Sequence, residues 1–422
     1  MASATEDHRA TAEAQQRIAT LASLKQIHRA FHWLHLHQPQ LRRWQLEMLA
    51  IPAPPFGERQ RAEWFVRQFR ELGLENVHLD EEGNALGELG SGGPGNHEKY
   101  ILISAHLDTV FPAGTNSIPR EEETRILCPG ACDNAAGLSA LLALIAAMRF
   151  AEIVPATSLL FAANVGEEGE GDLRGMRHLF ERGVYRERIS AALALEGAGT
   201  ATAVTRALGS RRFRITVEGP GGHSWTDAGA PNPILLIAQA LVKLQARVPP
   251  SREGRGEPRT TLNAGQISGG TSVNSIPSAA SVLLDLRSTA ADELQGLELE
   301  MHRAFESVIS AENAAQSSPH FFAGHSVEVV GTRPAGELAD DAPMLTTLRA
   351  VDRHLGLRTE LRLGSTDANL PLSMGIPAIA IAAGGTGGGI HTLGEWYDPT
   401  GRELALRRIL LLLADLTSGQ PG

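Results

Sequence analysis

The pattern of apolar and polar residues contains four short apolar runs, and polar residues follow each of them. Runs of about five to eight apolar residues predict strands that are buried on both faces, as in a parallel sheet. Helical patterns separate the runs, which favours a mixed, mainly parallel α/β sheet with helices on both faces. The four predicted strands are Tyr100–Ala105, Ser158–Val165, Ala191–Leu195 and Pro377–Ala383.

Between the third and fourth runs, the periodicity changes to that of a second domain. The segment Arg211–Glu218 alternates polar and apolar residues, as a half-buried strand does. Five more elements complete the order β-α-β-β-α-β, which is that of a ferredoxin-like module. They are predicted at Pro233–Ala246, Thr260–Ile267, Ser281–Arg287, Ala291–Ser310 and Ser326–Val330. We therefore predict an α+β domain at residues 210–333, inserted into a first domain made of residues 1–209 and 334–422.

The other elements are mostly helical. Helical patterns run over Ile18–Ala50 and Glu58–Leu72, and a short strand is predicted at Val77–Asp80. The segment Gly90–Gly95 predicts a Gly/Pro loop, and the acidic segment Arg120–Thr124 predicts a loop on the surface. Three more helices are expected at Ala135–Met148, Asp172–Arg182 and Ala342–Leu355.

Composition argues against several classes of protein. The formal net charge of −10 over 422 residues, with no basic tract, argues against a nucleic-acid partner. Two cysteines, Cys128 and Cys132, are too few for a secreted disulfide framework, and a single C-x3-C pair makes a poor zinc ribbon. No apolar run reaches the roughly 18 residues of a membrane span, and the polar N-terminus shows no secretory signal. We therefore expect a cytoplasmic protein without a membrane partner.

Each of the four predicted strands is followed by side chains that can bind metal ions. The carboxyl ends of neighbouring parallel strands share one crevice, which is where open α/β sheets bind their ligands. If the four strands are neighbours, these side chains converge there, together with an aspartate at the start of a predicted helix. The six residues are His106, Asp133, Glu167, Glu168, Glu196 and His391.

The charge of this set matches two divalent cations. Without cations, the packed carboxylates of Asp133, Glu168 and Glu196 would repel one another and partly protonate. Two divalent ions balance three carboxylates and one bridging hydroxide. With one histidine per metal and Asp133 as a bridge, each metal has three protein ligands and an open position for water. Nitrogen and oxygen ligands favour Zn²⁺, and Mn²⁺ or Co²⁺ could substitute.

Two carboxylates beside these ligands have separate predicted roles. In the pair Glu167–Glu168, one carboxylate can bind a metal while its neighbour acts as a general base, taking a proton from the bridging water and passing it to the leaving amine. Glycines flank the pair and an apolar run precedes it, which favours a site over a surface helix. Asp108 is interpreted as the carboxylate that orients the His106 ring, because five ligands satisfy both metals without it.

The motifs that carry these residues occur in a characteristic order. They are SAHLDTVFP (104–112), GACDNAAG (130–137), NVGEEGEG (164–171), ALEG (194–197), GPGGHSW (219–225), SGGTSVNSIPSAASVLLDLRS (268–288), GSTDANLP (364–371) and GGGIHTLGEWYDP (387–399). Together they resemble the M20 family of dinuclear zinc peptidases and deacylases, from about residue 40 to the end of the chain. The resemblance implies a zinc-binding α/β domain with an inserted lid or dimerisation domain.

The resemblance also implies which residues bind each ion. One zinc is expected on His106 and Glu196, and the other on Glu168 and His391. Asp133 is expected to bridge the two ions, and the peptide bond that follows it is expected to be cis.

Four further residues are expected, from the resemblance, to act on the substrate or the reaction. Glu167 is expected to be the general acid and base. His223, in the inserted domain, is expected to approach the active site of a partner subunit and to stabilise the oxyanion, which implies a homodimer formed through that domain. Asn274 and Arg287 are expected to contact substrate. Arg287 could bind a carboxylate with two hydrogen bonds, or it could be an ordinary arginine on the sheet surface.

We predict a dinuclear metal-dependent hydrolase that cleaves a peptide or amide bond of small peptides, with a metal-bridging hydroxide as nucleophile and Glu167 as general base. The C-terminal motifs GSTDAN and IHTLGEW look closer to tripeptidase-like members of the family than to its amino-acid deacetylases. An N-acyl-amino-acid deacylase or carbamoylase on the same machinery is the alternative. A non-catalytic binding protein on this fold would be expected to lose ligands or the base, whereas all six residues are present.

Overall fold

The computed structural model describes residues 2–90, 99–248, 259–317 and 319–418. Eleven α-helices lie in these ranges: α1 Ala2–Ala22, α2 Lys25–Leu36, α3 Gln38–Leu49, α4 Arg59–Glu71, α5 Ala135–Phe150, α6 Arg174–Arg177, α7 Pro233–Gln245, α8 Ala291–Ala315, α9 Pro343–His354, α10 Asn369–Ser373 and α11 Arg402–Thr417. A π-helical turn, His178–Arg182, follows α6, and short 3₁₀ turns lie at Gly169–Gly171 and Pro319–Phe321.

The same ranges contain nineteen strands: β1 Glu75–Leu79, β2 Ala85–Leu89, β3 Tyr100–His106, β4 Arg120–Glu122, β5 Arg125–Leu127, β6 Ser158–Asn164, β7 Ile189–Leu195, β8 Thr202–Ala207, β9 Gly209–Glu218, β10 Gly222–His223, β11 Thr260–Gly269, β12 Ser275–Ile276, β13 Ala279–Ser288, β14 Gly324–Arg333, β15 Gly336–Glu337, β16 Glu360–Gly364, β17 Ala378–Ile381, β18 Thr386–Gly388 and β19 Trp396–Asp398. Apart from Gly90, the predicted Gly90–Gly95 loop lies outside the described residues.

The four predicted strands lie side by side in the central sheet. Strands β6, β3, β7 and β17 are consecutive, and each pair is parallel. Beyond β6, β2 and β1 continue the sheet in antiparallel pairings. Beyond β17, β8 pairs antiparallel with β17 and parallel with β16. The prediction of a mixed, mainly parallel α/β sheet is confirmed, and the four strands meet the condition that they be neighbours.

Burial on both faces explains why these strands are continuously apolar. Every residue of β3 and β6 is buried, and the in-register pairing sets His106 beside Asn164. Helix α5 is almost entirely buried, since it packs on β3 and β7 while α2 and α3 pack on α5. Helix α4 packs on β1 and β2. The sheet is therefore rigidly held up to the carboxyl ends of its strands.

The chain divides into two compact units, one made of Met1–Ala207 and Glu337–Gly422 and the other of Leu208–Gly336. The second unit has an antiparallel sheet in the order β11-β13-β9-β14, with α7 and α8 packed on it. Its own core is built from side chains such as Phe213, Leu236 and Phe305. The predicted order β-α-β-β-α-β is therefore present.

Three predicted elements differ from the observed ones. The helical pattern Ile18–Ala50 is interrupted, because Leu24 adopts an extended conformation before α2, and α2 ends at His37 before α3 begins with Pro39 in its first turn. The acidic segment Arg120–Thr124 is part of the hairpin β4–β5 and is not a loop. The predicted helix Asp172–Arg182 is reduced to the four residues of α6 and a π-helical turn.

Strand β2 and helix α11 are among the elements that were not predicted. Strand β2 has the sequence ALGEL, whose glycine and glutamate are poor strand formers. It is nevertheless fully buried, because it lies between β1 and β6 and hydrogen-bonds to both. Helix α11 packs on α9 and contributes buried leucines to the core of the first unit. None of the helices in the described ranges combines the length and apolar character that crossing a bilayer requires.

Candidate metal centre and active site

The strand ends bring the predicted residues of the first unit together. His106 is the last residue of β3, Glu196 directly follows β7, and the Glu167–Glu168 pair follows β6. These three strands are parallel neighbours, so their carboxyl ends meet at one edge of the sheet. Asp133 lies in the turn before α5, and His391 lies between β18 and β19.

Asp133 stands between two histidines. Its Oδ1 lies 3.0 Å from His106 Nε2, and its Oδ2 lies 3.1 Å from His391 Nε2. His106 Nε2 also lies 3.3 Å from Glu196 Oε1, and His391 Nε2 lies 3.0 Å from Glu168 Oε1. Two triads therefore share Asp133, and in each the donor atoms are all within 4.8 Å of one another.

Glu167 belongs to a third grouping of the same kind. Its carboxylate, that of Glu168 and a ring nitrogen of His106 also lie within 4.8 Å of one another. Glu167 is 5% exposed, so its charge is placed in a largely dry environment next to the two triads.

The carboxylates of this centre carry more negative charge than the surrounding protein neutralises. Burial raises the pKa of Glu168 to about 8, and the charges of Glu167 and Asp133 add to this effect. Burial also raises the pKa of Glu196 to about 7. For Asp133, burial is outweighed by hydrogen bonds from His106 and His391, which hold the pKa below its usual range.

The pKa values of the two histidines are raised as well. The hydrogen bond to Asp133 raises the pKa of His391 to about 9. Burial would lower the pKa of His106, but the Glu196 charge and hydrogen bonds to neighbouring carboxylates raise it well above its usual range. In the protein alone, protons on the histidines therefore supply the positive charge that the carboxylates demand.

The residues present fit a pair of divalent cations. Glu196 Oε2 is buried and accepts no hydrogen bond within the described part of the chain. A buried carboxylate oxygen without a donor is costly, and a cation relieves that cost. Imidazole nitrogens and carboxylate oxygens together suit zinc and its neighbours in the first transition row.

Asp108 contacts His106, but through a different atom from the one predicted. The His106 ring donates from Nδ1 to the main-chain carbonyl of Asp108 at 3.0 Å, whereas the carboxylate Oδ1 is 3.7 Å away. This bond leaves Nε2 facing Asp133 and Glu196. The Asp108 carboxylate instead accepts from the main-chain N–H of Glu167 at 3.0 Å and of Glu168 at 2.7 Å. It therefore orients the glutamate pair.

An arginine that sequence reasoning missed supports the same glutamate pair. Gly166, directly before the pair, has a φ of 67°, and a Cβ there would lie 2.5 Å from Arg174 Cγ. Arg174 forms ion pairs with Glu58 at 2.7 Å and with Glu82 at 3.1 Å. The flanking glycines favoured a site over a surface helix, but no local signal identifies an arginine as the side chain against which Gly166 packs.

Asn134 connects the start of α5 to the end of β7. Its Oδ1 accepts from the N–H groups of Gly137 and Gly197, each at 3.1 Å, and its Nδ2 donates to the carbonyl of Leu195 at 2.9 Å. The peptide bond Asp133–Asn134 is cis, as the family resemblance implies. Asn134 therefore fixes the position of Asp133, its neighbour in the chain, relative to Glu196.

Two more acids lie behind the centre. Glu395, to which no role was assigned, accepts three main-chain hydrogen bonds from the turn that carries Asp133. Asp367 is 1% exposed and accepts from Asn164 Nδ2 at 2.8 Å. Burial, with the charge of Glu167, raises the pKa of Asp367 well above its usual range.

The other predicted residues belong to the inserted unit. His223, on β10, is exposed, and its Nδ1 accepts a hydrogen bond from the main-chain N–H of Trp225 at 3.1 Å. Asn274 accepts from Ser272 Oγ at 2.5 Å. Arg287, on β13, donates to Asp285 at 2.7 Å and is partly exposed.

Comparison with known proteins places this chain in a family. Residues 102–415 match the model for peptidase family M20/M25/M40. The chain is 25% identical over 352 residues to the uncharacterized protein YqjE of Bacillus subtilis, covering 80% of this chain and 88% of that protein. It is 30% identical over 247 residues to a succinyl-diaminopimelate desuccinylase of Xanthomonas euvesicatoria, covering 54% of this chain and 62% of that enzyme.

A solved structure shows the same fold over nearly the whole chain. The tripeptidase from Staphylococcus aureus superposes with a TM-score of 0.72 at 21% sequence identity, covering 90% of this chain and 99% of that chain. The family match spans most of the chain, including His106, Asp133, Glu168, Glu196 and His391. The chain therefore belongs to peptidase family M20/M25/M40 and is an enzyme of the kind that hydrolyses peptides or amides.

Proposed function

We propose that this protein is a dinuclear metal-dependent hydrolase that cleaves a peptide bond of small peptides. The observation that carries the proposal is the pair of triads that share Asp133, one oxygen of which faces each histidine. A single carboxylate with both oxygens directed at separate ligand sets suits a bridge between two ions. His106 and Glu196 would hold one ion, and Glu168 and His391 the other.

Two divalent ions, for which zinc is the best match and manganese or cobalt the substitutes, would supply a water nucleophile at neutral pH and polarise the carbonyl of the scissile bond. The protein supplies the rest of the chemistry. The main-chain bonds to Asp108 hold Glu167 beside Glu168, so one carboxylate serves as a ligand while the other handles protons. Glu167 takes a proton as general base and delivers it to the leaving amine as general acid.

His223 is proposed as the donor to the developing oxyanion. Because its Nδ1 accepts a hydrogen bond from Trp225, the neutral ring carries its proton on Nε2. A donor directed at such an oxygen contributes about 3–4 kcal/mol to lowering the barrier. We propose that this histidine serves the active site of a partner subunit in a homodimer formed through the inserted unit. Asn274 and Arg287 are proposed to bind substrate.

Small peptides are proposed as substrates because the C-terminal motifs look tripeptidase-like, and the similar fold of a tripeptidase supports this choice. The second candidate is an N-acyl-amino-acid deacylase or carbamoylase, which is supported by the similarity to a desuccinylase. Hydrolysis of di- and tripeptides, N-acylated amino acids and N-carbamoyl amino acids, with added Zn²⁺, Mn²⁺ or Co²⁺, separates the two. Turnover of the acylated or carbamoylated compounds alone would exclude the peptidase.

The general base is tested by Glu167→Gln. We expect kcat to fall by about 10²- to 10⁴-fold, because the amide cannot take a proton, while the number of metal ions bound per chain is unchanged. Glu170→Gln is the matched control, since Glu170 lies in the same loop with its side chain exposed, and its kcat should equal that of the wild type. Wild-type kcat in a metal-loaded Glu167→Gln enzyme would exclude this residue as the base.

A further inference from the structure

Glu395 is a buried carboxylate to which the proposed reaction assigns no role. It lies directly before β19, and 1% of its surface is exposed. Its Oε2 accepts a hydrogen bond from the N–H of Gly130 at 2.9 Å, and its Oε1 accepts from those of Cys132 and Asp133, each at 2.8 Å. The main-chain carbonyl of Glu395 accepts a fourth bond, from the N–H of Cys128 at 3.1 Å. Three acceptor atoms of one residue thus accept four hydrogen bonds from the segment between Cys128 and Asp133.

The segment that receives these bonds is irregular. Residues 128–134 form turns, and Gly130 has a φ of 82°, so neither a helix nor a strand ladder pairs their N–H groups. Within the turn, the N–H of Ala131 donates to the carbonyl of Cys128 at 3.0 Å. A buried N–H without an acceptor carries the full cost of its desolvation. The conformation of the turn therefore depends on the Glu395 carboxylate.

The other end of the connection is the turn that carries His391. The N–H of Glu395 donates to the carbonyl of Thr392 at 3.2 Å, and Thr392 closes the turn by bonding through its N–H and hydroxyl to the carbonyl of Gly389. The His391 side chain is 52% exposed, so packing alone does not hold it. Its position follows from the turn, which Glu395 attaches to the Asp133 segment 262 residues away in sequence.

We propose that Glu395 is a positioning residue that joins the Asp133 turn to the His391 turn, so that the shared carboxylate and the histidine face each other before any ion binds. The proposal rests on the proposed dinuclear function of the same cluster. In this role Glu395 binds no ion itself. It orients Asp133, which would bridge both ions, and His391, which would bind one of them. Such partners typically change metal affinity about 10- to 100-fold when they are replaced.

Glu395→Gln tests the proposal with almost no change in volume. If the amide oxygen accepts from Cys132 and Asp133, the amide nitrogen faces the N–H of Gly130, and that hydrogen bond is lost. Glu88→Gln is the matched control. Glu88 is also a buried carboxylate, 6% exposed, and it accepts from the hydroxyls of Tyr100 at 2.9 Å and Tyr185 at 2.6 Å, outside the metal centre.

Three measurements apply to each full-length variant: zinc affinity by competition with a chromophoric chelator, the visible absorption spectrum of the Co²⁺-loaded protein, and the melting temperature of the metal-free protein. For Glu395→Gln we expect the affinity for at least one ion to fall about 10- to 100-fold, with a changed cobalt spectrum. Glu88→Gln should keep wild-type affinity and spectrum, whatever its melting temperature. Wild-type affinity and spectrum in Glu395→Gln would overturn the proposal, as would equal losses of affinity in both variants.

Hydrogen exchange of the metal-free wild-type protein tests the connection even if Glu395→Gln does not fold. The main-chain amides of Gly130, Cys132 and Asp133 should exchange slowly before any ion is added, because the Glu395 bonds already exist. Exchange as fast as in exposed loops would overturn the role of Glu395. If instead these amides are protected but the wild-type protein binds no metal, the dinuclear function fails and the connection between the turns stands.

Discussion

At the scale of single residues, the centre is built from charges that oppose one another in the protein alone. Asp133 keeps its negative charge through hydrogen bonds from both histidines, whereas burial raises the pKa of Glu168 to about 8 and of Glu196 to about 7. The hydrogen bond to Asp133 raises the pKa of His391 to about 9. Cations would replace protons at each of these positions, so the centre couples metal binding to pH.

The first prediction concerns the pH dependence of the metal-free protein. The folded-state pKa values of Glu168, Glu196 and His391 all lie above their ordinary values. Between the ordinary and raised values, the folded chain holds more protons than the unfolded chain, so their contribution to stability falls as pH rises. We expect the melting temperature of chelator-treated protein to fall between about pH 5 and pH 9.

The same shifts predict that zinc binding releases protons. Ligands must be deprotonated to bind, so affinity should rise with pH through the range of about 7 to 9. Calorimetric titration at pH 6.5 in two buffers of different ionisation enthalpy measures the number of protons released.

The matched comparison for the melting temperature is Glu196→Gln, which removes one carboxyl group of raised pKa and should lessen the slope of melting temperature against pH. If the melting temperature of the metal-free protein rose steadily between about pH 5 and pH 9, the first prediction would be contradicted.

At the scale of elements, the first turn of α5 fits against the end of β7 without a gap. Gly137 lies where a Cβ would collide with the side-chain oxygen of Asn134 and with the carbonyl of Leu195. Both of those atoms take part in the hydrogen bonds that connect α5 to β7. Helix propensity alone favours alanine at this position, and close packing opposes it.

We therefore expect Gly137→Ala to destabilise the protein by about 1–3 kcal/mol, in spite of the better helix propensity of alanine. The control is Gly296→Ala in α8, where the glycine is exposed and a Cβ would meet no atom within 4 Å. That change should stabilise by about 0.4–1 kcal/mol. Equilibrium unfolding in urea, followed by circular dichroism, measures both. Stabilisation by Gly137→Ala would show that the close approach has no energetic importance.

At the scale of the whole molecule, the inserted unit has a core of its own, which within the described residues shares no side chain with the buried clusters of the first unit. The core of the inserted unit is formed from β9, α7, β13 and α8, together with Ala323. In the first unit, the segments where the insertion begins and ends lie side by side at the sheet edge, since β8 neighbours β15 and the N–H of Leu338 donates to Thr205 at 2.9 Å. The insertion therefore leaves and re-enters the first unit at one place.

This arrangement predicts that Leu208–Gly336 folds when expressed alone. Its four-stranded sheet, both helices and its core all lie within that range. Circular dichroism should show mixed α/β structure and one cooperative transition in urea. Phe213→Ala is the control for a native core. Because the side chain is buried, its truncation should lower the free energy of unfolding by about 3–5 kcal/mol. A non-cooperative transition in the isolated unit would show that its stability depends on the remainder of the chain.

Sequence alone was sufficient to predict the four central strands and the family. Continuous apolar runs are a local signal of strands buried on both faces, and the parallel-sheet rule brings their ends together. Elements with weak local signals were missed. Strand β2 forms because two neighbours bond to it, and the helical pattern before Ala50 is broken by the conformation of Leu24 and His37 rather than by composition.

The residues that carry the candidate chemistry were determined by the sequence, since a histidine or carboxylate at a buried strand end is costly unless it is used. Only the tertiary structure decided how those residues are held. It turned the Asp108 carboxylate toward the backbone of Glu167 and Glu168 and left its main-chain carbonyl for His106. It also brought Glu395 onto the Asp133 turn. Such partners are set by sheet register and loop packing between distant segments, and no local pattern records them.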